Sequence, residues 1–262
     1  MMSTCSNPRR SESSLAVQFA LRFRTFLAAA SVLLVCGSVG AEGATGVQGW
    51  AAIDTVDCGS LENSVGPFDY RQHVLKAKDR EDILYNVEVN HFNENVEFLR
   101  KGMTGSLGED LGYVLRAFPN HHRALLSLYR LSARERSERI SGLRYPVPCW
   151  YERAIELAPD DAKVRELYAA HLSRSGKNAA ALAQYRAALD LGAADSNTYY
   201  NLGLLYFEIK EYDTALEYAQ KAYAGGFPLP GLKDKLRRVG KWRDASPTTN
   251  ETAPPNARTA PH

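Results

Sequence analysis

After the first 41 residues, two cysteines are the residues best suited to covalent chemistry. Cys58 and Cys149 remain once residues 1–41 are set aside. In an exported protein such a pair favours a disulfide, which would close a loop of about 90 residues and stabilise the fold by roughly 4 kcal/mol. Two separate buried thiols are the alternative, and the sequence does not decide between them. No Cys-x-x-Cys occurs, so a thioredoxin-like redox site, haem attachment and a zinc knuckle are not expected.

Adjacent histidines and adjacent aspartates are the next candidates, for metal binding and for acid–base catalysis. His121 and His122 have no third ligand at a helical spacing, so we expect a surface turn there. Asp160 and Asp161 precede a helical pattern, and we expect them to cap that helix. The sequence therefore predicts no metal site and no cofactor.

The usual catalytic motifs give no support for an enzyme. Residues 102–108 are rich in glycine but lack the Gly-Lys-Ser/Thr sequence that cradles phosphates. No Gly-x-Ser-x-Gly elbow and no His-Glu-x-x-His occurs. We therefore expect a protein without catalytic activity.

Residues 1–41 have the pattern of an export signal. Arg22 and Arg24 precede an apolar stretch, and small residues before Ala41 suit cleavage after that position. The stretch from 26 to 41 is shorter than the roughly 20 residues that a stable membrane helix needs. We expect a periplasmic or secreted protein with no stable span after cleavage. The alternative is an uncleaved signal that anchors the chain to the inner membrane.

The rest of the chain is nearly neutral. Of 32 basic and 30 acidic residues, 28 and 29 follow residue 41, which gives a net charge of −1. We therefore do not expect nucleic acid or an anionic membrane surface as the main partner. Six arginines nevertheless lie between residues 123 and 144. They favour an acidic partner, and the alternative is a solvated helix face.

A spacing of 34 residues recurs in the second half of the chain. Tyr151 and Tyr185 form one such pair, and Ala154 and Ala188 form another that Ala222 continues. A fixed period of this size indicates stacked helical hairpins, each of which buries its apolar face against its neighbour. We predict an all-α fold of the helical-hairpin solenoid type.

Four parts are predicted along the chain. They are a signal peptide at 1–41, an irregular N-terminal segment at 42–92, a helical repeat domain at 93–242 and a disordered tail at 243–262. The best-marked helix pairs are 122–139 with 148–157, 162–174 with 178–191, and 196–209 with 212–224. Beyond Pro230, an amphipathic helix would close the open end of the stack.

The region before the hairpins has weaker signals. Asp69 is expected to cap a short helix. The alternation of apolar residues over 83–89 has the period of a strand, which we interpret as an extended link. Helical periodicity is expected over 93–103. A further helix begins with Ser106 and Glu109 as a capping box.

Residues 199–206, Tyr-Tyr-Asn-Leu-Gly-Leu-Leu-Tyr, resemble the Trp-x-x-Leu-Gly-x-x-Tyr stretch of the tetratricopeptide (TPR) repeat. Ala215 follows at the expected offset, whereas Arg165 stands where the second hairpin would usually have a large aromatic residue. The resemblance covers 122–224, and more loosely 93–121. It implies that the first helix of each hairpin lines a concave groove.

The resemblance also implies the groove residues. By alignment they are Arg123, Leu126, Arg130, Lys163, Glu166, Ala170, Asn197, Tyr200 and Leu204. The basic side chains would hold a carboxylate, such as a peptide C-terminus, and Asn197 would add a hydrogen bond.

We therefore expect an exported scaffold of the bacterial envelope that holds a protein or peptide segment of acidic character. The N-terminal part also resembles exported bacterial TPR proteins. Two alternatives remain open. One is an envelope enzyme with a site in 42–121, to which the repeats recruit substrate. The other is a structural subunit whose groove is filled by a second copy or by its own residues 42–70.

Overall fold

The computed structural model describes residues 57–76 and 78–244. Within these residues the chain forms eleven α-helices and no strand, which confirms the prediction of an all-α fold. The predicted signal peptide at 1–41 lies outside the described residues, as does all of the predicted tail after 244.

The helices follow one another with short connections. In chain order they are α1 Tyr70–His73, a 3-10 helix Val74–Lys76, α2 Ile83–His91, α3 Glu94–Glu97, α4 Leu107–Ala117, α5 His122–Glu135, α6 Val147–Leu157, α7 Ala162–Arg174, α8 Asn178–Asp190, α9 Ser196–Glu208, α10 Tyr212–Ala224 and α11 Gly231–Arg238. The predicted helix pairs agree with α7–α8 and α9–α10 to within one residue. The predicted helix beyond Pro230 is α11.

Neighbouring helices pack in chain order. We call α5, α7 and α9 the first helices and α6, α8 and α10 the second helices. Each first helix packs against the next first helix, and α9 packs against α11 in the same way. Each second helix packs against the helix that follows it. The two helices within α7–α8 and within α9–α10 pack most extensively against each other, and each hairpin also packs against the hairpins before and after it.

Small residues at the recurring positions make this packing close. Ala154, Ala188 and Ala222 are all fully buried on the second helices. Gly203 of α9 has so little room that a Cβ there would lie 3.3 Å from the carbonyl oxygen of Ala215 on α10. Small side chains at these points let the helix backbones approach one another.

The first hairpin differs from its prediction. Helix α5 ends at Glu135 rather than at 139, because Arg136 adopts a left-handed conformation with φ of 51°. The backbone N–H of Arg136 then donates to the carbonyl oxygen of Ser132, which closes the helix end. A loop over residues 136–146 connects α5 to α6.

The prediction of an extended link over 83–89 is wrong. These residues belong to α2, which begins where the side chain of Asp82 accepts a hydrogen bond from the N–H of Leu84. Leu84 and Val87 are buried, whereas Ile83 and Val89 are exposed. The buried pair is spaced by three residues, which places both side chains on one face of a helix, whereas in a strand they would point to opposite faces.

The helix predicted over 93–103 is also too long. Helix α3 ends at Glu97, and Leu99 adopts a left-handed conformation with φ of 57°. The buried carboxylate of Asp110 accepts hydrogen bonds from the N–H of Met103 at 2.5 Å and the Oγ1 of Thr104 at 2.6 Å. These contacts hold the chain in a loop that leads into α4. The predicted capping box of Ser106 and Glu109 is confirmed.

A buried amide joins the N-terminal segment to two helix starts. The Nδ2 of Asn120 donates to Asp69 at 2.7 Å and to Asp161 at 3.0 Å, and its Oδ1 accepts from the N–H of Tyr70 at 2.8 Å. Arg71 adds an ion pair with Asp69 at 2.7 Å. Asp69 and Asp161 are the N-caps of α1 and α7, as predicted.

Substitution of Asp69 tests this network. Hydrogen bonds from Arg71, and more weakly from Asn120, lower the pKa of Asp69 to about 2. Its stabilisation is therefore present above the unfolded-state pKa near 4 and is lost as the pH falls toward 2. We expect Asp69→Asn to lower the free energy of unfolding by about 2 kcal/mol at pH 7. The pH dependence between pH 4 and pH 2 should become shallower.

Urea unfolding at pH 7 and pH 3 measures both effects. Asp190→Asn is the matched control, because Asp190 is exposed at the end of α8. The same pH dependence in Asp69→Asn and in the unaltered protein would contradict the network.

Candidate functional site

The first helices line an open depression with a volume of about 460 Å³. We call it the first-helix depression. Tyr129 of α5, Ala170 of α7, Tyr185 of α8 and Leu204 of α9 supply apolar surface. Charged groups come from Arg174, Glu208 and Lys235. Aromatic and aliphatic walls with a few charged groups are typical of a site that binds a peptide side chain.

The charged groups of the first-helix depression are paired unequally. Lys235 forms an ion pair with Glu208 at 2.7 Å. The guanidinium of Arg174 lies 5.0 Å from the centre of the Tyr129 ring, and its Nη2 donates to the Oγ of Ser132 at 2.6 Å. Within residues 57–76 and 78–244, Arg174 forms no ion pair with a carboxylate. Arg174 is therefore the cation here whose charge is available to an anionic group.

Arg123, a predicted groove residue, is already engaged. Its guanidinium pairs with the carboxylates of Glu97 and of Glu88, the latter at 3.1 Å. It also lies over the ring of Phe92. Hydrogen bonds from Arg123 lower the pKa of Glu97 and favour its charged form. Arg123 thus holds α2 and α3 against α5.

Lys163 and Glu166 are similarly occupied. They form an ion pair at 2.7 Å, and the carboxylate of Glu166 also accepts a hydrogen bond from the Oγ1 of Thr198 on α9. Asn197 is exposed on α9. These residues connect α7 to α9 at the start of both helices.

The remaining predicted residues divide into two groups. Leu204 and Ala170 line the first-helix depression. Tyr200 instead stacks on Phe227, with ring centres 3.9 Å apart. Arg130 is exposed and Leu126 is half-buried, both outside the depression.

Sequence reasoning missed Tyr129, Arg174 and Lys235. The predicted groove residues reach no further than Arg130 in α5 and Ala170 in α7, whereas Arg174 is the last residue of α7. The cluster of arginines between residues 123 and 144 indicated a basic site, but it does not include Arg174.

The histidine pair is not a surface turn, which corrects that prediction. His121 is fully buried, and its Nδ1 accepts a hydrogen bond from the N–H of Ala124 as the N-cap of α5. Its Nε2 therefore carries the proton and donates to Glu88 at 3.0 Å. Burial lowers the pKa of His121 and keeps the ring neutral. His122 contacts Asp161 at 2.9 Å.

The two cysteines are joined. The sulfur atoms of Cys58 and Cys149 lie 2.02 Å apart, at bonding distance for a disulfide. One helical turn after Cys149, a carboxylate oxygen of Glu152 lies 3.2 Å from the sulfur of Cys58. The other carboxylate oxygen accepts a hydrogen bond from the hydroxyl of Tyr168 at 2.9 Å.

A buried arginine fixes the chain beside the disulfide. Arg153 is 2% exposed, and its Nη1 donates to the carbonyl oxygens of Cys58, Gly59 and Ser60 at 2.8 to 3.0 Å. The Nε of Arg153 has no hydrogen-bond partner among the described residues. Burial lowers the pKa of Arg153, and the nearby charge of Glu156 opposes that effect only in part.

The described part of the N-terminal segment runs along α4 and α6. The side-chain amide of Asn63 donates to the carbonyl oxygen of Arg116, and the N–H of Phe68 donates to that of Ala117. Residues 57–70 therefore do not fill the first-helix depression. Residues 42–56 lie outside the described residues.

Comparison with known proteins does not place the chain in a family. No protein-family model matches it, and no curated protein does. In the part of the chain that the structure describes, no helix has both the length and the apolar character needed to cross a membrane.

Removal of the disulfide should destabilise the fold. The bond closes a loop with a sequence separation of 91 residues, so the chain-entropy model predicts a loss of about 4 kcal/mol. Guanidinium unfolding of the oxidised protein and of Cys58→Ser/Cys149→Ser measures it. Added reductant should lower the midpoint of the unaltered protein and leave that of the variant unchanged. Equal midpoints for the two oxidised samples would contradict the expectation.

Proposed function

We propose that this protein is an exported TPR-type scaffold that holds a segment of another protein in its first-helix depression. The proposal is supported by the 34-residue recurrence at buried positions and by the packing of helices in chain order. Repeats of this kind present extended concave surfaces for binding.

Arg174 is the observation that carries the proposal. It borders an aromatic and aliphatic surface, and it forms no ion pair with a carboxylate of the described residues. A guanidinium can bind a carboxylate through two parallel hydrogen bonds. The partner we expect is a peptide segment with an acidic side chain flanked by apolar residues.

Residues 57–121 support the alternative of an envelope enzyme less well than the first-helix depression supports a binding scaffold. The most catalytic-looking group there is His91, Thr104 and Asp110. Thr104 and Asp110 both approach the same ring nitrogen, the Nδ1 of His91, at 3.3 and 3.0 Å. A nucleophile–base–acid relay needs contacts to opposite ring nitrogens. Asp110 instead stabilises the loop before α4.

An oxidising compartment fits the same proposal. Disulfides persist mainly in exported proteins, and the first 41 residues have the pattern of a signal peptide. We therefore assign the protein to the bacterial envelope or exterior. Fractionation of tagged protein distinguishes the periplasm, the medium and the inner membrane, and recovery from the cytoplasm would contradict export.

Charge reversal at Arg174 tests the binding surface. The segment captured from envelope extract by the unaltered protein is identified and synthesised, and its affinity is measured by fluorescence anisotropy. We expect Arg174→Glu to weaken binding at least tenfold, because an interfacial charge pair becomes a like-charge contact. Arg238→Glu is the matched control on the exposed end of α11. Equal affinities of the two variants would contradict the proposal.

One further variant separates the predicted groove residues from the first-helix depression. Arg130→Glu should change affinity little, because Arg130 lies outside the first-helix depression.

Light scattering of the unaltered protein tests self-association. If the protein forms a stable dimer that dissociates in the Arg174→Glu variant, the first-helix depression binds a second copy of the chain instead of another protein.

A further inference from the structure

Three possible metal ligands converge at the disulfide. The two sulfur atoms of Cys58 and Cys149 and a carboxylate oxygen of Glu152 all lie within 4.8 Å of one another. While the sulfurs are bonded to each other, neither carries the negative charge that a metal ligand needs. Reduction would leave two thiolates and a carboxylate around one point.

We propose that reduction of the disulfide turns Cys58, Cys149 and Glu152 into a binding site for a thiophilic divalent cation such as Zn²⁺. A dithiol reductant supplies two electrons and two protons and becomes a disulfide, while both cysteines become thiols. The cation then binds both sulfurs and displaces the two thiol protons to solvent. The disulfide and a bound cation therefore cannot be present at the same time.

The carboxylate is held in the orientation of a ligand. Cys149 and Glu152 are three residues apart on α6, which places them on the same face of the helix. The hydroxyl of Tyr168 holds one oxygen of Glu152, and the other oxygen is the one beside the sulfur of Cys58. Such an outer hydrogen bond orients a first-shell ligand and tunes its metal affinity.

The third ligand is positioned independently of the disulfide. Cys58 belongs to the N-terminal segment, whose carbonyl groups at residues 58–60 are bound by Arg153 of α6. These hydrogen bonds do not involve sulfur, so they remain after reduction. They keep Cys58 close to Cys149 when the covalent bond is gone.

The charges of the ligands suit a divalent cation. In the reduced protein, two thiolates add two negative charges, which a divalent cation cancels. The three protein ligands leave a fourth tetrahedral position for water, and Cys58 and Glu152 are only half-buried.

This site lies on a second helix and shares no residue with the first-helix depression. The proposal is therefore independent of the proposed function, and failure of one leaves the other standing.

Cobalt(II) is the probe, because its thiolate complexes absorb in the near ultraviolet and, when tetrahedral, in the visible. The full chain is reduced, freed of reductant under argon and titrated with Co²⁺. We expect one equivalent to bind with a sulfur-to-cobalt charge-transfer band and to be displaced by Zn²⁺. The oxidised protein should give no band.

Two ligand variants and one control identify the ligands. Glu152→Gln should weaken cation binding about tenfold or more, whereas Glu156→Gln, exposed on the same helix, should not change it. Cys149→Ser should remove the charge-transfer band of a two-thiolate complex. A reduced protein that keeps its helical circular dichroism but gives no band would overturn the proposal, and so would equal affinities of the two glutamine variants.

Folding of the reduced protein is followed in the same samples. If reduction alone lowers the helical signal, Zn²⁺ binding is expected to restore it, since metal binding to the folded state stabilises that state. A reduced chain that stays unfolded with excess Zn²⁺ would contradict the site.

Discussion

Close contact between helix backbones at buried small residues is the constraint on which the arrangement of helices depends. Ala154, Ala188 and Ala222 recur on the second helices and have no exposed surface. A large side chain at any of them would push two helices apart and shift every hairpin beyond it. Because the hairpins remain in register, the first helices contribute side chains to one shared depression.

Helix bounds were predictable where local signals and packing agree. The bounds of α7 and α10 were predicted to the residue, because Asp161 caps α7 and a Gly-Gly pair follows α10. Helix α2 was mistaken for an extended link, since short apolar alternation fits either period. The early end of α3 coincides with a hydrogen bond that the hydroxyl of Ser127 on α5 donates to the carbonyl oxygen of Glu97. That contact is tertiary, so local sequence could not reveal it.

The candidate site was predictable in kind but not in its residues. The sequence indicated basic groups on the first helices, but not which of them the fold already neutralises. Arg123 pairs with Glu97 across 26 residues, a contact that only the fold creates. Arg174 stays available because its neighbours are a serine hydroxyl and an aromatic ring. Likewise, the number of cysteines predicted a candidate disulfide. The position of Glu152 beside the sulfur of Cys58 could not be predicted, because it arises only where α6 meets the N-terminal segment.

Hydrogen exchange of the full chain, with and without a saturating bound segment, tests the central claim most directly. The claim is that the first helices jointly form the docking surface. Binding is predicted to slow amide exchange in the C-terminal halves of α5 and α7 and in α9. Exchange in α6 and α10 should change little. Protection confined to the second helices, or to the N-terminal segment, would contradict the account.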